Sequence, residues 1–306
     1  MRAMVIHEYG DPDVLQPMDL PMPEPAAGEV RVRVHAVSVN PVDTKWRRGG
    51  PFKTFPVVLG WDVSGVVESL GPGVTDFAVG DEVFGMVRFP AEGRAYADYV
   101  TAPVTDIARK PAGLSHAQAA AMTLAPLTVV QAFDRLELQA GQTILIHAAA
   151  GGVGHFAVQL AKTRGARVIA TASAPNHDFV RSLGADEIVD YRARPFEEQV
   201  SDVDAVLDTV GGDTTTRSVG VVRPGGHLVT IAAQAPAEAA AQRGITAERI
   251  LVHPSRAQLE FLAGEFTAGR LTPHVSQTFA LEQVAEAHRA IETGRTVGKI
   301  VLDVMR

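Results

Sequence analysis

Residues 144–154 read ILIHAAAGGVG, an apolar run that delivers the chain into a turn of small residues. A helix-like stretch over 156–162 follows and closes at Gly165. Strand, small-residue turn and helix in that order receive a pyrophosphate, because free N–H groups at the helix N-terminus face the anion. The dinucleotide pattern G-x-G-x-x-G falls on Ala149, Gly151 and Gly154, with alanine in the first place and Gly152 and Val153 inside the turn. Gly151 lets the main chain approach a phosphate and Gly154 lets helix pack on strand. The chemistry predicted here is dinucleotide binding.

Dinucleotide sites that prefer NAD carry an Asp or Glu about 20 residues beyond the turn, on the ribose 2′-hydroxyl. Counting from Ala149 reaches ATASA at 170–174, which holds no acid. A carboxylate there would repel a 2′-phosphate, so its absence admits NADP.

The surrounding elements agree with such a site. Apolar, strand-like runs recur at 166–172, 187–191, 203–208 and 227–232, with helical stretches between them. That alternation predicts an α/β fold, a doubly wound parallel sheet. The first 120 residues read differently. Val30, Val32 and Val34 alternate with Arg31, Arg33 and His35, and glycines and prolines punctuate short strands at 62–69 and 81–84, which predicts a β-rich domain. An alanine-rich helical region at 115–133, broken at Pro126, leads into the nucleotide-binding half. After Pro254 come an amphipathic helix at 258–266, a strand near Val275, a helical pattern at 281–291 and a closing strand at 298–302.

A chain of 306 residues is long enough for two domains. Its net charge of −7 offers no basic face for nucleic acid to follow. No segment approaches the roughly 18 uninterrupted apolar residues of a membrane span. The charged residues among the first eight interrupt the apolar core that a signal peptide needs, and a cytoplasmic location is expected. The absence of cysteine excludes disulfides and any thiolate metal site.

Taken together, AAAGGVG at 148–154, NPVD at 40–43, GWDVSGVV at 60–67, VGDEV at 79–83, AYADY at 95–99 and SLGAD at 182–186 resemble the medium-chain dehydrogenase/reductase superfamily. The likeness is to its zinc-independent quinone oxidoreductase branch, the zeta-crystallin-like family. It implies a GroES-like catalytic domain, 1–122 with 267–306, and an inserted Rossmann NADP-binding domain, 123–266. It also implies a homodimer paired through the strand at 226–231 and a neighbour beyond Arg249.

Zinc members of the superfamily bind catalytic metal through a cysteine near position 40 and a His-Glu pair near position 61. Asn40 and Trp61-Asp62 stand there in this chain, and none of its 10 histidines has another three to five residues away. No metal site is expected. By the same resemblance the 2′-phosphate of NADPH is met by Ser173, His177, Tyr191 and Arg192, with His177 where relatives often carry lysine, and Thr128 faces the nicotinamide. Without a metal, the oxygen on which charge collects during hydride transfer needs hydrogen-bond donors, each contributing about 10²–10³ in rate. Asn40 and Lys45 are the expected donors, with Lys45 alternatively touching the nicotinamide ribose. Asp43 orients its neighbours, Trp61 forms core or cleft wall, and Tyr96 packs.

The reading these residues favour is an NADPH-dependent reductase of small-molecule quinones or activated enones, with no nucleic-acid or membrane partner. A dedicated enoyl reductase of a biosynthetic pathway and a non-catalytic, crystallin-like NADPH-binding protein are the alternatives.

Overall fold

The computed structural model describes residues 1–305. The chain forms two compact units: Met1–Leu127 together with the segment from His253 onward, and Thr128–Val252.

The central unit carries a six-stranded sheet in the order Glu187–Val189, Arg167–Thr171, Thr143–Ile146, Val203–Asp208, Val222–Thr230, Thr246–Arg249. Every pairing is parallel. Counted along the chain this is the order 3-2-1-4-5-6 of a doubly wound dinucleotide fold, and the order reverses beside the strand that enters the small-residue turn. Leu145, Val206 and Leu228 are buried where the middle strands meet their covering helices. Burial on both faces is why these strands read as continuous apolar runs.

The expected strand at 187–191 stops at Val189, because Tyr191 lies in a turn. The sixth strand is Thr246–Arg249, which precedes Arg249 rather than following it. It is short, polar and partly exposed, and so has no apolar signature. It forms the sheet edge, which leaves 226–231 in the interior.

The other unit is β-rich. Its seven-stranded sheet runs Val275–Ala280, Lys299–Asp303, Glu29–Val39, Asp62–Leu70, Glu82–Met86, Ile107–Arg109, with Tyr99–Pro103 also on Glu29–Val39. A three-stranded sheet of Gln16–Asp19, Arg2–Ile6 and Val57–Val58 accompanies it. In Glu29–Val39 the alternation of Val30, Val32 and Val34 with arginines puts the valines into the core, and from Ala36 onward every residue is buried.

Both unit boundaries differ from the sequence expectation. Two helices, His116–Ala121 and Leu124–Arg135, replace one broken at Pro126. The break falls at Met122 and Thr123, and Pro126 sits in the first turn of the second helix, where its missing N–H costs nothing. The boundary lies within that helix, at Leu127 and Thr128, rather than after residue 122. The helix Arg256–Thr267 belongs to the β-rich unit rather than to the nucleotide-binding one. Arg256 ties it there: its N–H donates to the Thr105 carbonyl (2.9 Å), and its guanidinium pairs with Asp76 (2.7 Å) above the Phe77 ring. Among the described residues no helix is long and apolar enough to cross a membrane.

Candidate active site

In the central unit the strand Thr143–Ile146 ends in the small-residue turn, and the helix Gly154–Thr163 follows it. Ala148 takes a left-handed conformation, φ 48°, which a non-glycine residue adopts only when it is held there. Thr171 on the neighbouring strand does so. Its Oγ1 accepts the Ala148 N–H (3.1 Å) and its carbonyl accepts the Ala149 N–H (3.0 Å).

The three small positions then play separate parts. A Cβ on Gly154 would stand 2.3 Å from the Ala148 carbonyl oxygen and 2.7 Å from the Ala149 Cα, so helix and strand approach only over glycine. At Gly151 a Cβ would meet nothing but the Ala148 oxygen at 3.2 Å, and the space in front of the turn stays open to an approaching group. Gly152 and Val153 are half-buried at the helix entrance, where first-turn N–H groups have no intrahelical acceptor.

The 2′-phosphate candidates leave neighbouring strands at one level. Thr171 pairs with Val189, and Ser173 and Tyr191 each lie two residues further on. Ser173 is buried and accepts a long hydrogen bond from the Asn176 amide, 3.4 Å. His177 is half-buried, and its Nε2 donates to the Ala172 carbonyl at 3.3 Å. Tyr191 is 46% exposed, with the Arg192 guanidinium 5.8 Å from its ring centre. A hydroxyl, a phenol and a guanidinium thus follow the carboxyl ends of two neighbouring strands, and such donors suit a phosphate. Thr128 is buried on the helix Leu124–Arg135.

In the β-rich unit Asn40, Asp43 and Lys45 fall where the strand Glu29–Val39 passes into the helix Pro41–Gly49. Asn40 and Asp43 form a capping box, in which the Asp43 carboxylate accepts the Asn40 N–H at 2.5 Å. Asn40 is not an available donor. One amide hydrogen goes to Asp62 Oδ2 (2.8 Å), the other to the Ser38 carbonyl (3.3 Å), and Oδ1 accepts from the ammonium of Lys299. Lys45 projects from the exposed face of the same helix. Trp61 is wholly buried, its indole N–H donating to the Ala91 carbonyl (2.6 Å), and so belongs to the core.

Sequence reasoning missed Lys299 and gave Asp62 no role. Lys299 is 3% exposed and also donates to the Val39 carbonyl (3.3 Å), with Asp62 Oδ2 4.0 Å away. Asp62 Oδ1 accepts the Leu124 N–H (3.1 Å). Burial lowers the Lys299 ammonium pKa against the pull of Asp62 and Asp43, and burial raises Asp62. Burial likewise pushes Asp43 up to about 8. A lysine at the head of the apolar run Ile300–Leu302 was the available signal, since buried lysines are rare unless paired. Two carboxyls and one ammonium locked around an asparagine can hold one exchangeable proton near neutral pH.

Two family models match the chain: "Alcohol dehydrogenase GroES-like domain" over residues 26–112 and "Zinc-binding dehydrogenase" over 183–302. The quinone oxidoreductase structure from Coxiella burnetii superposes with a TM-score of 0.95 at 37% identity, covering 99% of each chain. The NADPH-dependent alkenal/one oxidoreductase of Arabidopsis thaliana chloroplasts is 35% identical over 99% of this chain and 79% of its own. A mycobacterial protein solved in complex with NADPH aligns at a TM-score of 0.90 and 30% identity, over 99% of this chain and all of that one. The chain is an oxidoreductase of the medium-chain dehydrogenase/reductase superfamily and belongs to its quinone oxidoreductase family.

Proposed function

We propose that this protein is an NADPH-dependent reductase of quinones and α,β-unsaturated carbonyl compounds that works without zinc. The observation that carries the reading is the Lys299 ammonium seated on Asn40, where zinc relatives place metal ligands. A divalent cation at Asn40 and Asp62 would face that ammonium at close range in surroundings of low dielectric, and the like charges would repel. The donor set present fits a resident side-chain cation and not a metal ion.

NADPH fits the central unit. Its pyrophosphate would rest on the turn from Ala149 to Gly154, and its 2′-phosphate on Ser173, Tyr191 and Arg192 with His177 beside them. When bound, it supplies the hydride. Lys299 then provides the positive field that favours charge developing on a substrate oxygen, and Asp43 and Asp62 hold the compensating charge and a proton. The alkenal/one and quinone activities named for relatives support this substrate class. Turnover of NADPH with phenanthrenequinone or 2-cyclohexen-1-one tests it, and failure with both under conditions where NADPH binds would leave only a nucleotide-binding protein.

We further propose a homodimer built on the edge strand Thr246–Arg249, because an unpaired edge is a template for a second copy. Light scattering on the protein and on Glu248→Pro should give a dimer and a monomer. The cytoplasm is the proposed compartment, in line with a chain that carries no cysteine, and a net charge of −7 supports a protein without a nucleic-acid partner.

A further inference from the structure

His147 is the last residue before the small-residue turn, and the cofactor assignment above does not use it. Its imidazole is only 1% exposed. The neighbouring strand holds its main chain: the His147 N–H donates to the Leu207 carbonyl (3.1 Å), and Thr209 Oγ1 donates to the His147 carbonyl (2.9 Å). The ring meets Phe196 edge-on, 4.6 Å between centres. Nδ1 lies 3.3 Å from Thr171 Oγ1, and Nε2 lies 2.9 Å from Ser218 Oγ.

The hydrogens along this line can be placed one after another. Ser218 Oγ donates to the Thr214 carbonyl at 2.6 Å, and a carbonyl only accepts, so the one hydroxyl hydrogen of Ser218 is spent there. Ser218 must then accept from His147, which puts a hydrogen on Nε2. Burial holds the imidazole neutral, its pKa down at about 4; Asp208 and Glu197 pull the other way, and Arg217 adds to the depression. A neutral ring with Nε2–H leaves Nδ1 as an acceptor. Thr171 therefore donates its hydroxyl hydrogen to Nδ1, and the lone pairs of the same oxygen face the Ala148 N–H, 3.1 Å away.

Ala148 is the residue that needs this hold. Its φ of 48° is left-handed, and its carbonyl accepts the Gly151 N–H (2.9 Å) and packs against Gly154 where a Cβ would stand 2.3 Å away. A relaxed Ala148 would therefore shift both glycines of the motif. We propose that His147 is a positioning residue for the cofactor: by accepting the Thr171 hydroxyl hydrogen it turns that oxygen's lone pairs onto the Ala148 N–H, and so presets the turn that receives the pyrophosphate. It acts through Thr171 and Ala148 from behind the turn. The role rests on the NADPH reading and lies within the central unit alone.

The test is calorimetric titration of the full-length protein with NADPH, with 2′-phospho-ADP-ribose, and with adenosine 2′-monophosphate, which carries the 2′-phosphate but no pyrophosphate. Thr171→Val keeps the shape of the side chain and removes its oxygen. It should weaken NADPH and 2′-phospho-ADP-ribose by about three- to tenfold, the worth of one hydrogen bond, and leave adenosine 2′-monophosphate unchanged. His147→Leu should do the same and serves if the threonine variant does not accumulate. His147→Asn should restore both Kd values, because its Oδ1 can accept from Thr171 where Nδ1 did. In ¹⁵N spectra of the unaltered protein the His147 ring hydrogen should sit on Nε2. A hydrogen on Nδ1, unchanged Kd values in Thr171→Val and His147→Leu, an equal loss for all three probes, or a His147→Asn as weak as His147→Leu would each overturn the proposal. An unaltered protein that binds none of the probes rejects the NADPH reading and this role with it, whereas variants that match a binding parent reject the role of His147 alone.

Discussion

Lys299 donates to Oδ1 of Asn40 across 259 residues of sequence. The contact exists because the closing strand Lys299–Asp303 runs antiparallel to Glu29–Val39, with Ile300 opposite Val39, so that the lysine reaches just past the strand end that Asn40 caps. Lys299→Met keeps most of the volume and removes the charge. It leaves Asp43 and Asp62 buried without a cation, and breaking a buried pair in this way costs about 3–5 kcal/mol. Denaturant unfolding should register that loss. Turnover with 2-cyclohexen-1-one should fall by about 10²–10³. Lys45→Ala is the contrasting variant: an exposed side chain is not preorganised, and its loss should raise KM for NADPH while kcat holds. A larger kcat loss in Lys45→Ala than in Lys299→Met would reverse the two assignments.

The fold was legible wherever burial left a period in the sequence. Val203–Asp208 reads with its observed bounds because Val203 and Ala205–Leu207 form a buried apolar run in a central parallel strand. Thr246–Arg249 left no trace, being polar and at the edge. Pro126 looked like a helix break but occupies a first turn, where proline is tolerated. In the site, local motifs were readable and long-range pairing was not. Asn40 and Asp43 are legible as site candidates, yet nothing near Asn40 says that its amide is spent on Asp62 and Lys299. Arg47, beside Lys45 and Arg48, reads as part of a solvated charge run. Only the return of His288 and Glu292 from 241 and 245 residues away accounts for its burial.

Ser173→Asp should change the cofactor. Ser173 stands at the strand end where NAD-binding relatives of this fold carry an acid. A carboxylate there repels a 2′-phosphate and can accept from a ribose 2′-hydroxyl instead. kcat/KM should therefore fall with NADPH and rise with NADH, and the unaltered protein should prefer NADPH. Equal or better kcat/KM with NADH in the unaltered protein rejects the Ser173, Tyr191 and Arg192 assignment.

Stability should fall steeply in acid. Burial holds His147 at about 4, and burial with Arg47 holds His288 at about 3. Both folded values lie below the ordinary histidine value of about 6.5. Depressed histidines contribute stability that is fully present above the unfolded value and lost as pH falls toward the folded one. Between about pH 6.5 and pH 3–4 the unfolded chain binds these protons and the folded one does not. His147→Asn can keep an acceptor toward Thr171 and a donor toward Ser218, the two partners of the ring at 3.3 and 2.9 Å. Its unfolding free energy should vary less with pH than that of the parent below pH 6.5. A parallel pair of curves would show that His147 titrates normally.

The chemistry should be conjugate reduction and not alcohol oxidation. Taking hydride from an alcohol requires its hydroxyl proton to leave as well, a task that a zinc ion eases by lowering the hydroxyl pKa. The Asn40–Asp62–Lys299 cluster offers no equivalent, because its carboxylates are held by Asn40, the Leu124 N–H and a lysine. A conjugated acceptor asks for less: a positive field for the oxygen that gains charge and, afterwards, one proton. Quinones, being stronger electrophiles than enones, should depend less on that field, and Lys299→Met should spare phenanthrenequinone turnover relative to 2-cyclohexen-1-one. NADPH oxidation with either acceptor should survive a strong zinc chelator unchanged. The comparison that decides the matter sets 2-propanol with NADP⁺ against 2-cyclohexen-1-one with NADPH on one preparation, with zinc measured by elemental analysis. Robust alcohol turnover, abolished by the chelator and restored by zinc, would place a metal at Asn40 and Asp62 and displace Lys299 from the role assigned to it.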